Sequence, residues 1–286
     1  MKFFILAGGY GTRAEPLSLL KPKPAFPLNG VPLLALLLEQ LRRLGCAEGF
    51  VNLHHLGDQV VAAAGDGRGI RFIREDELSG SRVLQRALPH FTRQLLAVNG
   101  DTYLELPLAE MTRRAADPRV DGVLLARPDR SGRYARLLCS GADFLESAPP
   151  AAAGEETLMY AGAALFKKRA VAGIDEGNFF ASIRGQRLRF TVVRYDGIWL
   201  DIGTPASYFQ ANWDFMAHRA LAGDNAISPG VEISPAARVR RSVLWENTRV
   251  GPGVDLSQCI VSGGLELENI SAVGRIITGQ GAFPLF

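Results

Sequence analysis

Cysteine is scarce: Cys46, Cys139 and Cys259 are the only three in 286 residues, far apart and without a C-x-x-C pair. That spacing argues against a disulfide framework or a zinc site and leaves the thiols as small hydrophobes. No apolar run approaches the ~20 residues that a bilayer span needs. Gly8-Gly9 interrupts the N-terminal apolar stretch, so it does not read as a secretory leader, and a cytoplasmic location is expected. An excess of one charge is also missing. The net charge is +3, which does not call for nucleic acid. Of the 32 cationic side chains only five are lysine, and three of those lie within residues 2–23. His54 and His55 stand near Glu75, Asp76 and Glu77, but without the i, i+4 helical spacing of metal-binding histidines no metal cluster is expected there. The P-loop pattern G-x-x-x-x-G-K-[ST] is absent.

What the chain does carry is concentrated at its start. The apolar run Phe3–Leu6 reads as a buried strand and leads into Gly8-Gly9-Tyr10-Gly11, a loop in which backbone can approach a phosphate without a Cβ in the way. Arg13, Lys21 and Lys23 follow within a short reach. Gly9-Tyr10-Gly11-Thr12-Arg13-Ala14 also fits the dinucleotide fingerprint G-x-G-x-x-G/A, but that fingerprint needs a helix opening at the loop. Pro16, Pro22, Pro24 and Pro27 oppose one, and the strand Gly49–Leu53 ends at His54 rather than at an acid. A nicotinamide cofactor is therefore not expected.

Beyond the loop, strand-like and helix-like segments alternate. Strands are expected at Gly49–Leu53, Ile70–Arg74, Gln94–Val98, Val120–Ala126, Tyr160–Phe166 and Phe190–Tyr195. Helices are expected at Leu33–Leu44, Gly57–Ala64, Val83–Leu88 and Ala206–Met216, with a flexible excursion over residues 147–156. This order implies an α/β fold, a Rossmann-like doubly wound mixed sheet with ligands at the strand carboxyl ends. After about residue 224 the texture changes. Ile227, Ile233, Val239, Leu244, Val250, Leu256, Val261, Leu267 and Val273 recur at intervals of six, six and five, a period of 17 over about three coils. This spacing predicts the hexapeptide repeats of a parallel β-helix over 223–286, whose coils bury their inward row only by stacking.

Taken together, Leu6, Ala7, Gly8, Gly9, Gly11, Thr12, Arg13, Pro16, Leu17, Pro22, Lys23, Pro24 and Pro27 closely resemble the signature L-A-[AG]-G-x-G-T-R-L-x-P-L-T-x-x-x-P-K-P-x-x-P of the sugar-1-phosphate nucleotidyltransferases (NDP-sugar pyrophosphorylases), with Ala14 and Ser18 departing from it. The branch it is most similar to acts on mannose, heptose or N-acetylmuramate 1-phosphates. The resemblance implies a catalytic domain over 1–222, a C-terminal left-handed β-helix, and Mg²⁺-dependent nucleotidyl transfer from a nucleoside triphosphate to a sugar 1-phosphate. It implies Arg13 on the β- and γ-phosphates and Lys23 on the α-phosphate, where a planar fork and a compact charge are suited. Leu6, Ala7, Gly8, Gly9, Gly11, Thr12, Gly80, Asn99 and Gly100 would line the nucleotide, and Tyr160, Gly162 and Glu146 the sugar. Asp101, in Val98-Asn99-Gly100-Asp101, and Asp201, in Trp199-Leu200-Asp201-Ile202-Gly203-Thr204-Pro205, match the metal-binding aspartates. Asp101 also reads as a turn aspartate, and Thr204-Pro205 as a helix N-cap and first turn. Lys21 reads as ordinary surface.

Two departures stand out. Glu77-Leu78-Ser79-Gly80-Ser81-Arg82 replaces the family's base-reading E-P-x-G-T-A-G, putting Arg82 where a small residue is expected. The family's E-K-P near the sugar phosphate is reduced to Glu146 without its lysine. These motivate an alternative, a nucleotide- or NDP-sugar-binding regulatory paralogue without turnover. An acyltransferase activity in the repeats is disfavoured by the lack of histidine in residues 219–286. The repeats are expected to mediate self-association, giving a homo-oligomer, or to cover a domain face, and neither nucleic acid nor membrane is an expected partner.

Overall fold

The structure is a computed structural model describing residues 1–174 and 179–286. Its centre is a nine-stranded mixed sheet. In chain order the strands are β1 (Lys2–Leu6), β2 (Glu48–Leu53), β3 (Ile70–Arg74), β4 (Gln94–Asn99), β5 (Gly122–Asp129), β6 (Arg136–Ser140), β7 (Asp143–Ala148), β8 (Thr157–Lys167) and β9 (Phe190–Arg194). They lie in the order β3-β2-β1-β4-β8-β5-β9-β7-β6. β1, β2, β3 and β4 run parallel, and β8 is antiparallel to both its neighbours, β4 and β5.

The central strands read as continuous apolar runs because both faces are covered. Phe3, Ile5, Val51, Leu53, Leu96 and Val98 enter one core, while their neighbours Phe4, Phe50, Leu95 and Ala97 enter the other. Alternate side chains of a pleated strand point to opposite faces, so each strand feeds both cores. The leucine-rich run forms helix α1 (Leu33–Arg43), and its buried face, Leu33, Leu34, Leu37, Leu38 and Leu41, follows helical spacing. Helix α2 spans Gly57–Ala63.

Two expectations need correction. Val83–Leu88 lies within a 3₁₀ segment, Ser81–His90, rather than an α-helix; Pro89 near its end lacks an N–H and disfavours α conformation at Leu88. Ser147 and Ala148 belong to β7, so the excursion is shorter than residues 147–156 suggest. The β6–β7 hairpin at the sheet edge was not foreseen. Its alternation is broken by a register shift between Phe144 and Glu146, and only Leu137 and Phe144 are deeply buried.

Past helix α3 (Pro205–His218) the chain forms three short parallel ladders. One aligns Ala226 with Val243 and Val243 with Ile260, and a second aligns Glu232 with Arg249 and Glu266. The second repeats at 17 residues throughout, as the spacing predicts, whereas the first does so only until its last parallel step, Ile260 to Ile276, which is 16. The third aligns Arg238 with Asp255 and then steps 16 residues to Ser271. Leu244, Val250, Leu256, Val261 and Leu267 are buried within the stack. The expected inward row fails at its ends: Ile227, Ile233 and Val273 are exposed, since the outermost rungs lack a neighbour on one side.

The ladders do not stand apart from the sheet. Trp245, fully buried, lies 5.3 Å from Phe26 and 6.4 Å from Tyr208 between ring centroids. Ala226, Val243, Ile260, Ile276 and Leu285 join the same core as Phe26, Leu28 and Tyr208.

Candidate active site

β1, β2 and β4 stop together, and their carboxyl ends open onto a cavity of about 350 Å³. Leu6, Ala7, Gly8, Gly9, Gly11, Gly80 and Asn99 line it, together with Lys23, Asn52, Leu78, Ser81 and Asp101. The absence of Cβ atoms is required at specific points. A Cβ on Gly8 would stand 2.7 Å from Asn52 Nδ2, and one on Gly100 would stand 2.8 Å from the Leu6 carbonyl oxygen. Gly11 has φ +70°, a left-handed conformation, and a Cβ there would press on the Lys23 stem at 3.3 Å. Its carbonyl accepts from Ala14 N–H at 2.7 Å and opens a 3₁₀ turn, Thr12–Ala14, in place of the helix a dinucleotide fold requires.

Asn52 holds the loop from below. It is buried at the end of β2, where its Oδ1 accepts from Ala7 N–H at 2.7 Å and its Nδ2 donates to Glu75 Oε2 at 2.6 Å. Glu75 Oε1 in turn accepts from Ser79 N–H at 3.1 Å and from Ser79 Oγ at 2.5 Å. One network thus ties the glycine loop to the segment carrying Gly80. Asn52 escaped the sequence reading and Glu75 entered it only within a dismissed metal cluster, although an asparagine inside the apolar run Phe50-Val51-Asn52-Leu53 is a signal, because a buried amide must find partners.

Lys23 lies between two prolines with only 9% of its surface exposed. Its Nζ sits 2.5 Å from Asp101 Oδ2, an opposite charge that offsets the cost of burying the ammonium. Asp201 is brought to the same edge by a two-stranded antiparallel ladder in which Thr102 faces Asp201. Its Oδ1 accepts from Gly203 N–H at 3.0 Å and its Oδ2 from the Tyr134 hydroxyl at 2.8 Å. Burial, and then that bond to Asp201, push the Tyr134 hydroxyl well above the usual tyrosine range, so it stays a donor. Tyr134 stands edge-on to Trp199 at 5.7 Å, and the Arg127 guanidinium lies 4.7 Å from the same ring. Arg13 is exposed, and its Nη2 and the Asp201 carboxylate crowd the same side of Gly203. Thr12 is exposed on the turn beside it. Tyr134 carried no sequence signal.

The residues expected at the sugar separate. Gly162, φ +93°, lies against the side chain of Asn99, which lines the cavity. Tyr160 instead packs its ring against Phe179 and Phe180 at 5.5 and 5.6 Å, and burial raises its pKa. Its side chain belongs to the second core. Glu146 on β7 pairs with Arg184 at 3.0 Å. The histidines are engaged locally, His54 with Tyr10 Oη and the Glu75 carbonyl and His55 with the Ser18 carbonyl. Lys21 is not ordinary surface either, because its Nζ meets Glu246 Oε1 at 2.5 Å.

The donor set fits Mg²⁺. Asp101 and Asp201 would offer hard carboxylate oxygens, Asp101 already faces a cation in the Lys23 ammonium, and one or two carboxylates are what this ion takes when water and phosphate complete its shell.

A family model described as the MobA-like NTP transferase domain matches residues 3–171. Among curated relatives, a putative mannose-1-phosphate guanyltransferase of Sulfolobus acidocaldarius is 25% identical, over 90% of this chain and 74% of its own length. The N-acetylmuramate alpha-1-phosphate uridylyltransferase of Neisseria meningitidis serogroup B is 29% identical, over 78% of this chain and 99% of its own. The crystal structure of HddC from Yersinia pseudotuberculosis superposes with a TM-score of 0.66 at 23% identity, covering 75% of this chain and 99% of that one. That likeness shows the same α/β fold.

Proposed function

Because the chain belongs to the MobA-like NTP transferase family, with sugar-1-phosphate nucleotidyltransferases among its relatives, we propose that it catalyses Mg²⁺-dependent nucleotidyl transfer to a sugar 1-phosphate. A phosphate oxygen of the sugar 1-phosphate attacks the α-phosphorus of a nucleoside triphosphate. The bond from that phosphorus to the bridging oxygen breaks, pyrophosphate leaves, and an NDP-sugar remains. The observation that carries this reading is the part-buried Lys23–Asp101 pair lining a glycine-rich cavity. A cation and a carboxylate together in this cavity suit a reaction in which charge builds on a phosphoryl group and no protein nucleophile is needed.

In this reading Asp101 and Asp201 would hold the metal, whose part is to polarise phosphate oxygens and offset their charge. Gly8, Gly9 and Gly11 allow backbone N–H groups to face the triphosphate, with the Asn52–Glu75 network fixing Ala7 behind them. Lys23 follows charge at the α-phosphate, and Arg13 clamps the outer phosphates. Gly80 faces the base, and Gly162 with Asn99 border the sugar. Residues 1–222 serve as the catalytic domain and 223–286 as a left-handed parallel β-helix.

A pyrophosphate-release panel crossing the four nucleoside triphosphates with mannose, glucose, heptose and N-acetylmuramate 1-phosphates tests the reading. At least one pair should turn over with Mg²⁺ and lose roughly 10²-fold or more in Lys23→Ala. A panel no faster than Lys23→Ala sinks the enzyme reading, and tight nucleotide-sugar binding without turnover would leave the regulatory paralogue.

A further inference from the structure

Lys21 and Glu246 are 225 positions apart, yet they form an ion pair that joins the glycine-loop segment to the C-terminal ladders. We propose that this pair makes the ladders a positioning element for Lys23, so that Glu246 sets the register of the phosphate-site lysine through Lys21. The inference rests on the nucleotidyl-transfer reading for its kinetic consequence, though not for its structural one.

The contact is built rather than incidental. The Lys21 side chain is 17% exposed, its Nζ is 2.5 Å from Glu246 Oε1, and it lies 5.4 Å from the Trp245 ring centre. Gly263, on the next rung, makes room for the carboxylate. A Cβ there would stand 3.3 Å from Glu246 Cδ and Oε1, tighter than ordinary packing. Two further struts hold the same segment downstream. The Tyr208 hydroxyl donates to the Pro27 carbonyl at 2.7 Å while accepting from Trp245 Nε1–H at 2.9 Å. Gly30 sits so close to the first rung that a Cβ would meet the Ile227 carbonyl at 2.5 Å.

Lys23 lies between these anchors. Pro22 and Pro24 fix φ on either side of it, so a displacement of Lys21 has few soft dihedrals in which to dissipate before Lys23. The upstream anchor is the vulnerable one. It borders a cavity of about 800 Å³ between the segment and the ladders, from which water can replace the ion pair, whereas the Tyr208–Pro27 strut is buried. Losing Glu246's charge therefore loosens one end of the span and leaves the other fixed. Misplacing a catalytic group by about 1 Å can cost up to 10²-fold in rate while ground-state binding changes little.

The test uses the full chain with Glu246→Gln, which keeps the shape, with Lys21→Met, which keeps the apolar stem over Trp245, and with the exchanged pair Lys21→Glu plus Glu246→Lys. The Ala25 and Phe26 amides bond to the Pro22 and Lys23 carbonyls and report the span by hydrogen exchange. Both single variants should exchange faster at those amides, lose about tenfold in kcat with KM for the sugar phosphate within about twofold, and recover on both counts in the exchanged pair. Unchanged exchange and kcat in Glu246→Gln would overturn the proposal, as would an exchanged pair no better than the singles. If the wild-type protein turns over no substrate pair, the function reading fails by itself and exchange at Ala25 and Phe26 still decides this one: faster exchange supports it, unchanged exchange refutes it.

Discussion

Lys23 meets two requirements at once, burial and charge, and Asp101 reconciles them. The glycine at position 11 serves the same side chain, since only a residue without Cβ both adopts φ +70° and leaves the Lys23 stem its space. Lys23 was legible because its motif is contiguous. Asn52 was missed because its partners, Ala7 N–H and Glu75, are brought to it by sheet pairing. Asn52→Ala should cost roughly 1–3 kcal/mol in urea unfolding, because it strands a buried N–H and a half-buried carboxylate. Tyr134→Phe removes the donor to Asp201 Oδ2 without opening a cavity. Its melting temperature should hold within a few degrees, while the Mg²⁺ concentration for half-maximal activity shifts several-fold, as outer-shell losses at metal sites do. An unchanged metal requirement would separate Tyr134 from the metal.

At the level of elements, the end of the sheet domain combines local and long-range logic. Asp201 is followed at once by Thr204-Pro205, and Thr204 caps α3 in a reciprocal box with Ser207, its side chain accepting from Ser207 N–H at 3.1 Å. Both readings of this stretch, metal-side aspartate and helix start, fit the same few residues. Thr204→Ala should cost about 1 kcal/mol, seen as a lower denaturation midpoint with an unchanged slope. Helices with a clear apolar face and strands buried on both sides were readable from the chain. The Ser81–His90 segment was not, because its apolar spacing does not distinguish an α-helix from the 3₁₀ turns it forms, and Pro89 limits the ladder only at its end. The β6–β7 hairpin lies at an edge, where one-sided burial leaves little pattern to read.

Across the whole molecule, one core runs from the sheet into the ladders through Phe26, Tyr208 and Trp245. A chain ending at residue 222 would expose those aromatic faces and lose ring contacts of about 0.5–1.5 kcal/mol each beyond their buried area. It should melt lower than the full chain and bind a hydrophobic dye; equal melting temperatures would show that the ladders only rest on the sheet. Five of the six tyrosines, Tyr103, Tyr134, Tyr160, Tyr195 and Tyr208, have pKa values raised by burial. Each holds its proton in the folded state beyond the ~10 at which the unfolded chain releases it. Their contribution to stability is therefore complete below about pH 10 and is lost as pH rises through the folded values. Unfolding free energy should fall steeply above about pH 10, and the tyrosinate absorbance of these five should rise together with unfolding rather than before it.

The sequence by itself determined the glycine loop, the alternation of strands and helices, and the 17-residue repeat. Each is written in contiguous or periodic residues, where backbone freedom, proline restriction and burial act locally. Only the tertiary structure decided that Lys21 belongs to Glu246, that Asn52 and Glu75 hold the loop, that Tyr134 holds Asp201, and that Tyr160 turns into the second core. Those pairings depend on which strand ends the sheet order brings together, and no local period encodes which buried polar group will meet which partner across the fold.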